Sequence, residues 1–170
     1  MKRFIFLWVV LFAVSACDDG NFKVTNFNFD TATIQNCNGV LYKINKNEIL
    51  LLDIPATTFV NTPTTEPILL NVNATNRLIY RQYNTTITPT SFCTTIPPAS
   101  LSVTEEWSVK EGVEKSTGLI QIITTEIKDP TTETVTGYNH EIRFLNVAFS
   151  NANSEFVFEN YLFGNYKTGL

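Results

Sequence analysis

The stretch "LSVTEEWSV", residues 101–109, alternates apolar and polar side chains with a period of two. Successive strand side chains point to opposite faces of a sheet, so Leu101, Val103, Trp107 and Val109 share one face and Ser102, Thr104, Glu106 and Ser108 the other. That is the signature of a half-buried strand. Residues 155–159 repeat it less cleanly, with Phe156 and Phe158 on one face and charges flanking on the other. Further strands are predicted over 22–29, 40–44, 48–54, 68–72, 77–83, 119–128 and 134–149. Thr, Asn, Phe, Val and Ile abound and helix formers are scarce, which suits a pleated, half-buried surface.

Turn-forming residues punctuate these segments: Asn45-Lys46-Asn47, 73–76, 111–118, Asp129-Pro130 and 151–154. The pattern predicts an all-β fold of about nine strands, an antiparallel sandwich or a jelly-roll-like arrangement. Segments 119–128 and 134–149, joined around Asp129-Pro130, are expected to form the longest hairpin and the centre of one sheet. Two connections are longer. Residues 55–67 and 84–100 are rich in Thr and Pro, which favours extended, solvated chain; loops of this length serve as plain connections or as binding loops. No internal repeat is present.

The N-terminus has a different character. Lys2 and Arg3 supply positive charge, Phe4 to Val14 form an apolar run of eleven residues, and Ser15 and Ala16 are small, the three parts of an export signal. A transmembrane helix needs about 20 apolar residues, so this run is too short for a permanent span and is expected to be removed.

Val14, Ser15, Ala16 and Cys17 resemble the lipobox of bacterial lipoproteins, in which the cysteine becomes the acylated first residue of the mature chain. The resemblance implies lipidation of Cys17 and two or three acyl chains; one myristoyl-length chain binds membranes only marginally, and two or more hold firmly. An ordinary secretory cleavage that leaves Cys17 a thiol is the alternative. Asp18 and Asp19 do not serve lipid affinity, because anionic head groups repel them. Acidic residues after the cysteine resemble two sorting signals: retention at the inner membrane in enterobacteria and export to the cell surface in Bacteroidota. Cys17-Asp18-Asp19-Gly20, the following "FKVTNFNFD" and the Asn, Thr, Phe and Tyr content resemble small lipoproteins of flavobacteria. A flexible, solvated tether would have the same composition. The expected organisation is a signal peptide over 1–16, a lipidated cysteine and acidic tether over 17–21, and one β-sandwich domain over 22–170. The resemblance places it in the bacterial cell envelope, at the outer membrane and facing outward.

Removal of 1–16 takes two of twelve basic residues and none of the sixteen acidic ones, leaving ten against sixteen and a net charge of −6. No basic run or interleaved basic–aromatic patch exists, which argues against a nucleic-acid partner. The remaining 154 residues suffice for one domain burying roughly 70% of its unfolded surface. Cys37 and Cys93 form an even pair in an exported chain and are a candidate disulfide, worth on the order of 4 kcal/mol in the chain-entropy model. Two separate thiols, with Cys93 packed beside Phe92, are equally compatible with the spacing.

Catalytic chemistry finds little support. A nucleophile–histidine system has only His140 to use, and in "TGYNHEIRF" it shares parity with Ile142 and Phe144, which points to a structural histidine facing the core. Glu105 interrupts an apolar face between Val103 and Trp107, so it is either a perturbed carboxylate or the mark of a strand end that reaches solvent. Its neighbour Glu106 points to the opposite face and cannot complete a glycosidase pair. No metal-ligand cluster, phosphate loop, nucleotide fingerprint or calcium loop is present, so no cofactor and no catalytic residue is expected. Three function classes follow: a non-catalytic binding or accessory module for a glycan, protein or small ligand; a structural or assembly subunit of an envelope complex; and, least supported, an envelope hydrolase. Exposed aromatics beside the long loops would favour the first, an uncovered apolar sheet face the second.

Overall fold

The structure, a computed structural model, describes residues 27–109 and 118–169. Tight turns start the fold. Asn38 and Gly39 both have positive φ (52° and 91°), the backbone that a two-residue turn needs to match strand twist, and they close β1 (Gln35–Cys37) onto β2 (Val40–Asn45). Lys46 (φ 57°) lies in the next turn, which leads into β3 (Glu48–Asp53). The other strands are β4 (Ile68–Asn71), β5 (Arg77–Tyr83), β6 (Val103–Val109), β7 (Leu119–Lys128), β8 (Val135–Ser150) and β9 (Glu155–Gly169). Helix among the described residues is confined to a 3-10 turn at Ala56–Thr58 and one α-turn, α1 (Pro89–Phe92).

All pairings are antiparallel, in the order β1-β2-β3-β5-β6-β8-β7-β4, with β9 also on β8. Phe149 and Ser150 pair with both β6 and β9, so β6 and β7 share one edge of β8, and β9 takes the other. β8 therefore belongs to both halves of the sheet. Between its β7-paired stretch and its β6-paired end stands Asn146 with φ 50°, a conformation that asparagine tolerates better than most side chains. There the sheet folds over. Leu41, Leu50, Leu52, Leu78, Tyr80 and Trp107 from the first half meet Ile120, Ile122, Ile142, Phe144, Phe149 and Phe163 from the second in one core, which makes the fold an all-β sandwich. Each such side chain contributes roughly 1.5–3 kcal/mol when fully buried.

A second, smaller core lies on the outer face of β2, β3 and β5, where Tyr42, Ile49, Leu51 and Tyr83 pack with Ile87, Phe92 and Leu101. The last three come from the connection after β5. That segment is not the solvated chain its Thr and Pro content suggests: spaced apolar residues turn it into a cover, Ile87 N donates to Lys46 O at 2.9 Å, and α1 is capped reciprocally by Thr88 and Ser91.

Two further expectations need correction. No strand forms over 27–29, and 22–26 lies outside the described residues. Phe29 is instead fully buried, and Phe27 lies against Phe158 (4.5 Å between ring centroids), Phe29 and Tyr80, so packing rather than pairing fixes this stretch. The segment expected at 155–159 runs on to Gly169, so β8 and β9, not β7 and β8, form the longest hairpin. The turn expected at 111–118 lies outside the described residues, except for Gly118.

Candidate functional site

Cys17, Asp18 and Asp19 lie outside the described residues. Cys37 and Cys93 are joined in a disulfide with a Cα separation of 5.7 Å, pinning the cover segment to the end of β1. Glu105 is exposed and Val103 is 44% exposed, so that end of β6 reaches solvent. Glu106 lies on the other face and pairs with Arg81. His140 is fully buried: Nδ1 lies 2.8 Å from Thr124 Oγ1 and Nε2 3.0 Å from Thr168 Oγ1, with the Phe59 ring edge-on. Burial lowers its pKa. Glu105 stands opposite Gln82 and His140 opposite Thr124 and Tyr166, so the structure does not bring them together. Among the described residues, no group of three or more His, Cys, Asp or Glu could hold a metal, and no helix is long and apolar enough to cross a membrane.

The polar groups that the structure buries are others. Glu48 opens β3 with the parity of Leu50 and Leu52 and is only 7% exposed. Its carboxylate accepts from Tyr80 Oη at 2.9 Å and Gln82 Nε2 at 3.3 Å; burial raises its pKa, while those two hydrogen bonds and the charge of Lys46 pull the other way. Lys43 shares the inward parity of Leu41 and is 3% exposed. No described residue gives its Nζ a hydrogen bond or an ion pair; the Phe163 ring centroid lies 5.9 Å away. Burial lowers its pKa, and the charge of Asp30 partly offsets this.

Lys43 lines a cavity of about 650 Å³ between β2, residues 30–34 and the middle of β9. Asp30, Ala32, Thr33 and Ile34 form one side, and Asn160, Tyr161, Leu162, Gly164 and Asn165 the other. The opening follows from β9 geometry. Ile142 pairs with Gly164 and Arg143 with Leu162, so Phe163 is an extra residue, a β-bulge that bends the strand. Gly164 has φ 137°, and a Cβ there would stand 3.1 Å from Ile34 Cδ1, so glycine permits both the backbone turn and the close approach. The Tyr161 hydroxyl is buried with no hydrogen-bond partner, and burial raises its pKa. A buried hydroxyl without a partner is rare, and it lies behind the wall that Lys43 also lines.

A smaller hollow of about 220 Å³ lies across β9. The half-buried Phe59 and Tyr166 rings line it with Asn36, Asn61 and Thr168, so residues 55–67 do present an aromatic beside a concavity. Here the polar groups are engaged: Thr168 Oγ1 donates to Asn61 Oδ1 at 2.8 Å, and Asn36 Nδ2 donates to the Tyr166 hydroxyl at 3.2 Å.

Lys43 and Tyr161 were not candidates from sequence, although a lysine in register with Leu41 and followed by Ile44 is a detectable break in apolar parity. Comparison with protein-family models, curated proteins and solved structures gives no match to this chain.

Proposed function

We propose that this chain is a lipid-anchored protein of the bacterial cell envelope whose β-sandwich is a non-catalytic binding module, taking a small ligand in the β2–β9 cavity. One observation carries the reading: Lys43, only 3% exposed and without a hydrogen-bond or ion-pair partner among the described residues, lines an open cavity. Burying polar groups without partners costs free energy, and a ligand that supplies acceptors recovers it. The anchor rests on Val14-Ser15-Ala16-Cys17.

The test has two parts. A fatty-acid analogue should label the wild type and not Cys17→Ser; equal labelling overturns the anchor. A thermal-shift screen of the full chain against sugars, organic acids and amino acids should yield ligands that raise the melting temperature by mass action, and Leu162→Trp, which fills the cavity rim, should abolish the shift. Shifts unaffected by Leu162→Trp would move the ligand elsewhere, and a screen without any hit would remove the binding-module reading.

An assembly role is the second reading, supported by β9 having only β8 as strand neighbour among the described residues and by Val157 standing 57% exposed upon it. Chemical cross-linking in intact cells separates the two, since an assembly subunit gives a discrete larger species.

A further inference from the structure

We propose that the smaller hollow across β9 is a subsite for one uncharged sugar ring, set between the Phe59 and Tyr166 rings and the Asn36 and Asn61 amides. It lies beside the β2–β9 cavity along β9 but shares no lining residue with it, so the inference stands apart from the reading of that cavity. Both amides are fixed in orientation. Asn36 Oδ1 accepts from Gly39 N at 3.1 Å while its Nδ2 donates to the Tyr166 hydroxyl at 3.2 Å. Asn61 Oδ1 accepts from Thr168 Oγ1 at 2.8 Å while its Nδ2 donates to the Gly169 carbonyl at 3.1 Å. A backbone N–H only donates and a backbone carbonyl only accepts, so neither amide can turn over without losing a bond.

The Asn61 side is anchored in the core. Thr168 gives its one hydroxyl proton to Asn61, so Nε2–H is the donor in the 3.0 Å bond between His140 and Thr168. In the neutral imidazole that burial favours, Nδ1 is then the acceptor and takes the Thr124 hydroxyl proton at 2.8 Å. The chain Thr124–His140–Thr168–Asn61 thus runs in one direction, from a fully buried imidazole to the wall of the hollow. Apolar side chains would fill that part of the core equally well; what the polar chain adds is an Asn61 held in place before any ligand arrives.

The remaining protons define the ligand. One N–H on each amide and the phenol proton of Tyr166 have no acceptor among the described residues. The same wall carries no charged side chain, and its two rings meet edge to face with centroids 5.0 Å apart. It offers donors and aromatic carbon, and no counter-charge. A sugar ring matches both: its oxygens accept, and its C–H groups carry partial positive charge that suits the electron-rich ring faces. An anion would find protons but no cation and would leave the rings unused. An apolar ring would cover the three protons without accepting them, which costs their full desolvation. At about 220 Å³ the hollow is smaller than the roughly 300–1,000 Å³ of sites that enclose drug-sized ligands, so it takes a single ring, free or within a longer glycan.

Saturation-transfer NMR tests this on the full chain in a detergent without a sugar head group, with methyl β-glucoside, methyl β-galactoside, methyl β-glucuronide and cyclohexanol as probes. Irradiating protein aromatic resonances should transfer saturation to ring C–H protons of at least one neutral glycoside, which should bind at least about threefold more tightly than the glucuronide or cyclohexanol. Ala56→Trp, at an exposed position on the hollow, should abolish the transfer at an unchanged melting temperature, and Leu162→Trp on the neighbouring cavity should leave it intact. Tyr166→Phe keeps the ring and removes the proton, and should weaken the glycoside about twofold to tenfold. Binding that survives Ala56→Trp, unchanged affinity in Tyr166→Phe, equal or tighter binding of the glucuronide or cyclohexanol, or no transfer to either neutral glycoside at millimolar concentration would overturn the assignment. Glycoside binding lost in Leu162→Trp would overturn it too, and would return the sugar to the β2–β9 cavity.

Discussion

Tyr80 donates its hydroxyl to the Glu48 carboxylate across 2.9 Å in the interior of the sandwich, tying β5 to β3 by side chains as well as backbone. Tyr80→Phe removes that donor and leaves a desolvated carboxylate short of a partner, at a cost of about 1–3 kcal/mol of unfolding free energy. The pH dependence has a definite sign. Burial raises Glu48 above its ordinary 4.5, so the folded chain holds this proton at pH values where the unfolded chain has released it. Its contribution is complete below 4.5 and is lost as pH rises through the raised value. Glu48→Gln should lack that decline, seen by denaturant unfolding at several pH values between 4 and 8.

His140 works in the opposite direction. Burial holds it below 6.5, so between its lowered value and 6.5 the unfolded chain binds more protons and stability falls with falling pH. His140→Gln should cost about 1–3 kcal/mol at pH 7 through lost hydrogen bonds with Thr124 and Thr168. It should also show a shallower decline than wild type from pH 7 to 5. An unchanged slope would mean that the imidazole is charged in the folded state.

Breaking the disulfide by Cys37→Ser/Cys93→Ser should lower stability by about 4 kcal/mol. The damage should be local first, because Phe92 and Ile87 then rely on packing against Tyr42 and its neighbours alone. Limited proteolysis should cut within 84–102 in the variant before the rest of the domain, whereas the intact protein, two hydrogens lighter by mass than its reduced form, should resist there.

The two aspartates after Cys17 give a cellular prediction. If they act as the sorting label that the sequence resemblance implies, protease added to intact cells should degrade wild type and spare Asp18→Ala/Asp19→Ala. Protection of both would place the domain facing the periplasm, and digestion of both would reduce the aspartates to a tether.

Where one phase of alternation runs the length of a strand, the sequence was a sufficient guide: β5 and β7 fall within the expected bounds, and β6 does so although Glu105 interrupts its apolar face. Parity fails in the C-terminal hairpin for a physical reason. Inward positions in β9 run Phe156, Phe158, then Tyr161, Phe163, then Tyr166, Thr168; the phase slips first opposite the left-handed Asn146 and again at the Phe163 bulge. A strand with two phase slips looks like a strand that stops. Asn38-Gly39 was the clearest hairpin turn in the chain, yet the short β1 beside it carries no alternation to attract notice. The cavity was illegible for a related reason. Lys43 and Tyr161 are far apart in sequence, and only the β9 bulge beside Ile34 brings their walls together.

The place of β8 in both halves of the sheet sets an order on folding. During synthesis or export the chain emerges from its N-terminus, and β6 cannot complete its pairing until Phe149 and Ser150 have followed it. Until then Leu50, Tyr80 and Trp107 are only partly covered, because Phe149, Phe156 and Phe163 on the opposing side of that core lie in the last two strands. The nascent domain thus carries a partly uncovered apolar sheet through most of its emergence, and folding waits on its slowest, longest-range contacts. A chain truncated before β9 is therefore expected to stay open and bind holdase chaperones rather than form a smaller stable domain.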